Sequence, residues 1–473
     1  MRFEWKTRKL GELVTFLSGG TPSKNNKGYW GGEIPWISAS SMQSTRYHDS
    51  DLRVTALGSS NGTRLVPEGT VLLLVRGGAL HNKIPVGITT REVTFNQDVK
   101  ALIPKTTEIT PYYLLSWLMS ERAHLLSKVE NTGIGAGKLD TKILQDLDVL
   151  IPPKAELQRL ESFSRALDDK IILSDRINQT LEQIAQALFK SWFVDFEPVK
   201  AKIAVLEAGG SQEDATLAAM TAISGKDADS LAVFEREHPE KYAELKATAE
   251  SFPSAMQDSE LGEIPVSWTL SEIGKEINIV GGATPSTKIP EFWDNGNINW
   301  TTPKDLSDLK DKILLHTERK ITKLGLGKIS SGLLPINTVL MSSRAPVGYL
   351  AIAKIPVAIN QGYIAMKCDK DLSPEFVLQW CTINMPEIVS RASGTTFAEI
   401  SKKNFNPIPL VKPPVNIVKS YTKQISTIYT LIENNARENN SLSQLRDTLL
   451  PKLLSGEITL PEAEEIAKEA DYV

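Results

Sequence analysis

The chain of 473 residues holds only two cysteines, Cys368 and Cys381, both in its second half. That excludes a disulfide framework and fits a reducing cytoplasm. Long apolar runs are missing too: "VLLLV" at 71–75 is strand-length and far too short to span a bilayer. The opening "MRFEWKTRKL" has no apolar core of a secretory signal, so a cytoplasmic protein away from any membrane is expected. The five histidines (His48, His81, His124, His238 and His316) keep no metal-ligand spacing with one another or with the cysteines, and no metal site is expected.

Catalytic motifs are equally scarce. "TGIGAGK" at 132–138 resembles a phosphate loop, but only three residues separate Gly133 from Gly137 where four are needed, and Leu139 follows Lys138 where Ser or Thr should stand. A loop before a helix is the better reading. The Pro-Pro pairs, "IPPK" and "KPPV", lack the context of an amino-methyltransferase motif, and no nuclease-like group of carboxylates with a lysine stands out. No catalytic residue is assigned, which weighs against a fused enzyme.

What the sequence has is repetition. "LSGGTPSKNNKGYW" at 17–30 returns as "VGGATPSTKIPEFW" at 280–293, with Thr21 and Thr284 263 residues apart. Trp5 pairs with Trp268, Trp30 with Trp293, and Trp36 with Trp300. "PEGTVLLLVR" matches "PINTVLMSSR", "FNQD" around Asn96 matches "INQG" around Asn360, and "TPYYLLSW" matches "SPEFVLQW". The chain states one unit twice: a mixed α/β lobe, then a helical arm. Within each lobe "TVLLLV" and "TVLMSS" predict buried strands, while 111–129 and 374–392, each opening on Pro, predict helices.

The arms carry heptads. One row is Leu160, Leu167, Ser174, Leu181 and Leu188, the other Leu157, Ser164, Ile171, Asn178, Ala185 and Trp192. Shifted by 261, the second copy gives Tyr421, Ile428, Asn435, Leu442 and Leu449 with Val418, Ile425, Ile432, Asn439, Arg446 and Leu453. The pattern predicts a coiled coil, with Asn178 and Asn439 fixing its register. Amphipathic helices packed on their own lobes are the alternative. Each arm of about 36 residues would run ~53 Å at 1.5 Å per residue, and Pro451 is expected to kink or end the second. Residues 201–255 have no counterpart and read as a solvated helical spacer. The resulting division is lobe 1–152, arm 153–200, acidic insert 201–262, lobe 263–412 and arm 413–473.

The net charge of −4 divides unevenly. Residues 1–150 hold 18 Lys and Arg against 14 Asp and Glu, and 263–412 hold 17 against 14, so both lobes are mildly basic. Residues 201–262 hold 5 against 12. Basic lobes permit phosphate contact without proving it.

Together "W…LGE…SGGTPS…YW…IPW", the arm endings "QALFKSWFVDFEP" and "LLPKLLSGEI", and the linker "DSELGEIPVSW" at 258–268 resemble the specificity subunit of a type I restriction-modification enzyme, over nearly the whole chain. The resemblance implies two target-recognition domains held apart by an antiparallel helical coiled coil, with an internal pseudo-two-fold repeat. Each domain reads half of a bipartite duplex DNA target, and the arms set the gap. It implies as partners two modification subunits using S-adenosylmethionine and restriction subunits using ATP and Mg²⁺, with no cofactor in this chain. A scaffold without sequence-specific reading is the alternative.

Base reading needs Arg, Lys, Asn, Gln or Ser on loops. The candidates are Ser23, Lys24, Lys27 and Arg76, with Ser286, Lys288, Ser343 and Arg344 in the second copy. Asn96 and Gln97, like Asn360 and Gln361, recur in both lobes and so suit a shared backbone-holding or phosphate role. For Arg76 and Arg344 a structural ion pair is the competing reading. Phe189, Trp192, Phe193, Leu449, Leu453 and Leu454, at the arm ends, are expected to be exposed and to meet the modification subunits.

Overall fold

The computed structural model describes residues 5–131, 135–307, 309–394 and 398–469. They form two compact units, one of 1–173 with 439–473 and the other of 174–438.

Each unit contains one lobe built on a five-stranded sheet. In the first the order is Val14–Ser18, Val99–Pro104, Val71–Leu74, Val86–Thr89, Arg46–Tyr47; in the second it is Asn278–Val280, Tyr363–Lys367, Val339–Ser342, Leu350–Ala353, Ile313–Leu314. Neighbours are antiparallel except the last pair, which is parallel in both sheets. Val71–Leu74 and Val339–Ser342 are central and wholly buried, as the apolar runs at 71–74 and 339–341 require of strands covered on both faces. A terminal ribbon closes each lobe: Lys6–Lys9 pairs with Asp148–Ile151, and Thr269–Glu272 with Pro409–Lys412.

A helix caps each sheet. Pro111–Ser120 starts with Thr110 accepting from the Tyr113 amide at 3.0 Å, and Pro374–Ile383 with Ser373 accepting from the Phe376 amide at 3.2 Å. Proline follows each cap, where its missing N–H costs nothing. The sequence predicts one longer helix at each place. Both break, at Glu121 and at Asn384, before short helices Arg122–Ser127 and Met385–Ser390. In the second lobe Pro386 cannot donate into a continued helix.

The arms are two 40-residue helices, Lys154–Phe193 and Val415–Leu454. Pro451 is incorporated in the last turn of the second, which ends three residues later. They pair antiparallel within each unit. In the first unit Asp168 meets Arg446 and Ile171 meets Asn439; in the second Asn178 meets Asn435 and Glu182 meets Tyr429. Asn178 donates to the Ile432 carbonyl and Asn439 to the Ile171 carbonyl, each at 3.3 Å, so the two asparagines make the same bond at an offset of 261.

The helix ends behave differently from their middles. Leu157 and Leu160 enter the first lobe's core together with Leu449, Leu453, Leu454 and Ala463 from the chain's last segment. Phe189, Trp192 and Phe193 enter the second lobe's core with Tyr421 and Phe376. Each unit thus holds part of both arms. The insert differs from the expected spacer. It forms four helices, Glu197–Glu207, Gln212–Ser224, Ala228–Glu237 and Pro239–Ser251, which bury Val199, Met220, Ile223, Leu231 and Phe252 in the second unit's core. Its apolar stripe was hidden by many small alanines and charged neighbours. Lys202, buried there, donates to the carbonyls of Ala249 and Phe252 at the last helix's C-terminal end, where a cation is favoured.

Candidate nucleic-acid interface

The twice-stated motif is a loop that braces itself. In the first lobe the Trp30 indole donates to the Ser23 carbonyl at 3.2 Å, and the Trp36 indole to the Gly20 carbonyl at 3.0 Å. In the second, Trp293 donates to Ser286 at 3.0 Å and Trp300 to Ala283 at 3.2 Å. The two indoles of each lobe stand edge to face, with centroids 5.3 and 5.0 Å apart. Gly19 and Gly282 lie against strand backbone, where an added Cβ would collide with the carbonyl oxygens of Phe95 and Ile359. The glycine and both tryptophans are therefore explained by scaffold geometry.

The Asn-Gln pair completes this brace. Thr21 donates to the Gln97 side-chain oxygen at 2.6 Å, and Thr284 does the same to Gln361. The Asn96 side-chain oxygen accepts from the Asp98 amide at 3.1 Å, and that of Asn360 from the Gly362 amide at 2.9 Å. Asn96 is buried, so it holds a turn and does not face a ligand. Ser23, Lys24 and Lys27 project as exposed residues from the first braced loop, and Ser286 and Lys288 from the second. The scaffold is common and the exposed tips differ.

The arginines after the central strands part company. Arg76 is exposed, and its cross-strand partner is Lys138. Arg344 faces Glu399 at the corresponding bridge and pairs with it at 3.8 Å. Among the described residues Arg76 has no acidic partner, so the ion-pair reading holds for Arg344 and not for Arg76. Ser343 corrects the expectation of a reading residue: it is 3 % exposed, its amide donates to the Gly362 carbonyl, and its carbonyl accepts from Ile400. Its place just beyond a buried strand explains this. Residues 132–134 of the glycine-rich stretch lie outside the described residues; Gly137–Lys138 form the strand paired with Arg76–Gly77.

The six residues expected to be exposed at the arm ends are buried. Phe189, Trp192, Phe193, Leu449, Leu453 and Leu454 range from 0 to 7 % exposed. Their aromatic and aliphatic surface is taken up by the chain's own lobes, so it is not free for a partner. On the arms, apolar side chains that do face outward include Ile177 and Ile184, 43 and 48 % exposed and one heptad apart, with Leu173 on the same helix and Leu431 on the other.

No group of three His, Cys, Asp or Glu suited to a metal is found among the described residues, nor any helix long and apolar enough to cross a membrane. The type I restriction modification DNA specificity domain matches residues 3–183 and again 265–444, so the structural repeat is also a family repeat. The chain belongs to this family. As a type I specificity subunit it is similar to the HindI specificity subunit of Haemophilus influenzae, 32% identical over 368 residues, covering 75% of this chain and 79% of that one. It is 23% identical to the MjaIX specificity subunit of Methanocaldococcus jannaschii over 474 residues, covering 97% and 94%. A solved type I S subunit from M. genitalium aligns over 96% of both chains at 12% identity with a TM-score of 0.46.

Sequence reasoning missed two groups of this specificity subunit. One is the buried cluster of Arg46, Asp168 and Arg446; Arg446, a charge inside an apolar row, was its visible signal. The other is Arg319, stacked 3.7 Å from the Trp293 ring centroid, for which only the second lobe's tryptophan pair gave a hint.

Proposed function

We propose that this specificity subunit directs type I methylation and restriction to a bipartite, asymmetric duplex target, each lobe reading one half and the paired helices setting the gap. The observation that carries the reading is the common braced loop with unlike exposed tips, Ser23, Lys24 and Lys27 against Ser286 and Lys288. Two similar readers with different contacts suit two different half-sites in one duplex, whereas identical readers suit a palindrome. The chain itself does no chemistry and acts in the cytoplasm. Two modification subunits supply methyl transfer with S-adenosylmethionine, and restriction subunits supply ATP- and Mg²⁺-dependent cleavage. The outward apolar residues Ile177 and Ile184 suit contact with a modification subunit, since they leave apolar surface uncovered.

Replacing residues 1–150 with the corresponding lobe of a relative tests the reading. Methylome sequencing should show one half of the methylated motif changed and the other intact. Both halves changing together, or duplex binding with no sequence selectivity at all, would sink it.

A further inference from the structure

One exposed arginine of the second lobe has no counterpart in the first. Cross-strand pairing fixes the correspondence: the Trp36 amide donates to the Leu52 carbonyl in the first lobe, and Trp300 pairs with Arg319 in the second. Three residues later Thr55 and Thr322 each cap a short helix by accepting from Gly58 and Gly325. Leu52 and Arg319 are therefore equivalent positions on the same scaffold.

Arg319 is exposed, and its guanidinium carbon lies 3.7 Å from the Trp293 ring centroid and 5.4 Å from that of Trp300. Trp293 is the indole that holds the Ser286 carbonyl, so the guanidinium sits at the root of the exposed loop. Among the described residues no carboxylate or carbonyl receives its guanidinium N–H groups; its backbone is held by the pairing with Trp300, and its carbonyl accepts from the Thr317 hydroxyl. The stacked face limits the side chain's rotamers, and the N–H fork is left facing solvent. A planar fork held in advance loses little freedom on meeting two adjacent acceptors.

Resting on the DNA-reading function above, we infer that Arg319 is a specificity-determining residue of the second lobe that reads a guanine edge, its O6 and N7 taking the two parallel N–H groups. A phosphate contact would serve either lobe equally and so belong to the shared scaffold. Arg319 stands in one lobe only, against an exposed leucine in the other. That asymmetry favours a base over the backbone.

The test is selection of binding sites from duplexes with randomised positions by the full chain, with whatever subunits co-purify with it, as wild type, Arg319→Ala and Arg319→Lys. Arg319→Ala should relax preference for guanine at one position of one half-site by roughly tenfold to a hundredfold and leave the other half unchanged. Arg319→Lys keeps the charge but neither the planar stacking nor the fork, so it should relax the same position while the salt dependence stays as in wild type. It also decides the case if the alanine variant does not fold. Unchanged preferences with a salt slope shallower by about 0.9 would make the contact a phosphate and overturn the inference. Unchanged preferences and slope would make the stack structural only. A wild-type chain that enriches no sequence would instead refute DNA reading itself.

Discussion

At Asn178 an amide occupies a seam position that a leucine would fill, and its surroundings are charged. Asn178 favours the ionised form of Asp311, yet burial dominates and, with Asp175 and Glu182 nearby, pushes the Asp311 carboxyl from 3.8 up to about 6. Lys310 opposes this. Because the folded state holds the proton more tightly than the unfolded chain, the stabilisation is full below pH 4 and is lost as pH rises towards 6. Asp311→Asn should therefore stabilise the second unit by ~1–3 kcal/mol at pH 7.5 and by little at pH 4. Denaturant titrations of both proteins across that range measure it; an equal gain at both ends would refute the shift. The asparagines were legible in the heptads because a polar residue breaks an apolar row. Asp311 was not, since its burial depends on a lobe segment 133 residues away from Asn178 in the chain.

Among elements, the arms were the most legible and their ends the least. The rows Leu157 to Trp192 and Val418 to Leu453 mark the seam correctly, but heptads cannot say whether a partner helix or a lobe covers each turn. In the first unit a carboxylate joins three elements. Asp168 accepts from Thr45 at 2.7 Å, from Arg46 at 2.5 Å and from Arg446 at 3.1 Å, with all three charged side chains at most 8 % exposed. Asp168→Ala leaves two buried guanidinium groups without it and should cost about 3–5 kcal/mol. Replacing Arg46, Asp168 and Arg446 together with apolar residues should recover most of the loss, as thermal melts of both variants beside the wild type would show. On the outer side, Ile184→Asp should leave the melting of the chain nearly unchanged and reduce co-purification of a modification subunit at least tenfold. Phe189→Ala should do the reverse, losing about 3–5 kcal/mol of stability through the cavity it opens.

At the scale of the molecule, the repeat alone disclosed two similar lobes and two arms, because Gly, Thr and Trp in the braced loop are constrained by backbone contacts and so survive divergence between copies. The residues proposed to read bases were less legible for the opposite reason: exposed tips carry no packing constraint. If the paired helices set the gap, removing one heptad from both shortens each by ~10 Å, about three base pairs of duplex. The half-sites in the methylated motif should stay as they are while the gap shortens or modification ceases. An unchanged gap in the sequenced methylome would show that the arms are not the ruler.

The first unit closes on residues 439 onward, whose Leu449, Leu453 and Leu454 fill its core. A ribosome must synthesise the 265 residues from 174 to 438 before it even begins that segment, which at about 5–20 residues per second takes roughly 13–53 s. Until then the nascent first lobe presents an open apolar patch to chaperones and proteases. A message cut short before codon 439 therefore yields a protein flawed at its beginning, and the cell can discard it before it enters any complex.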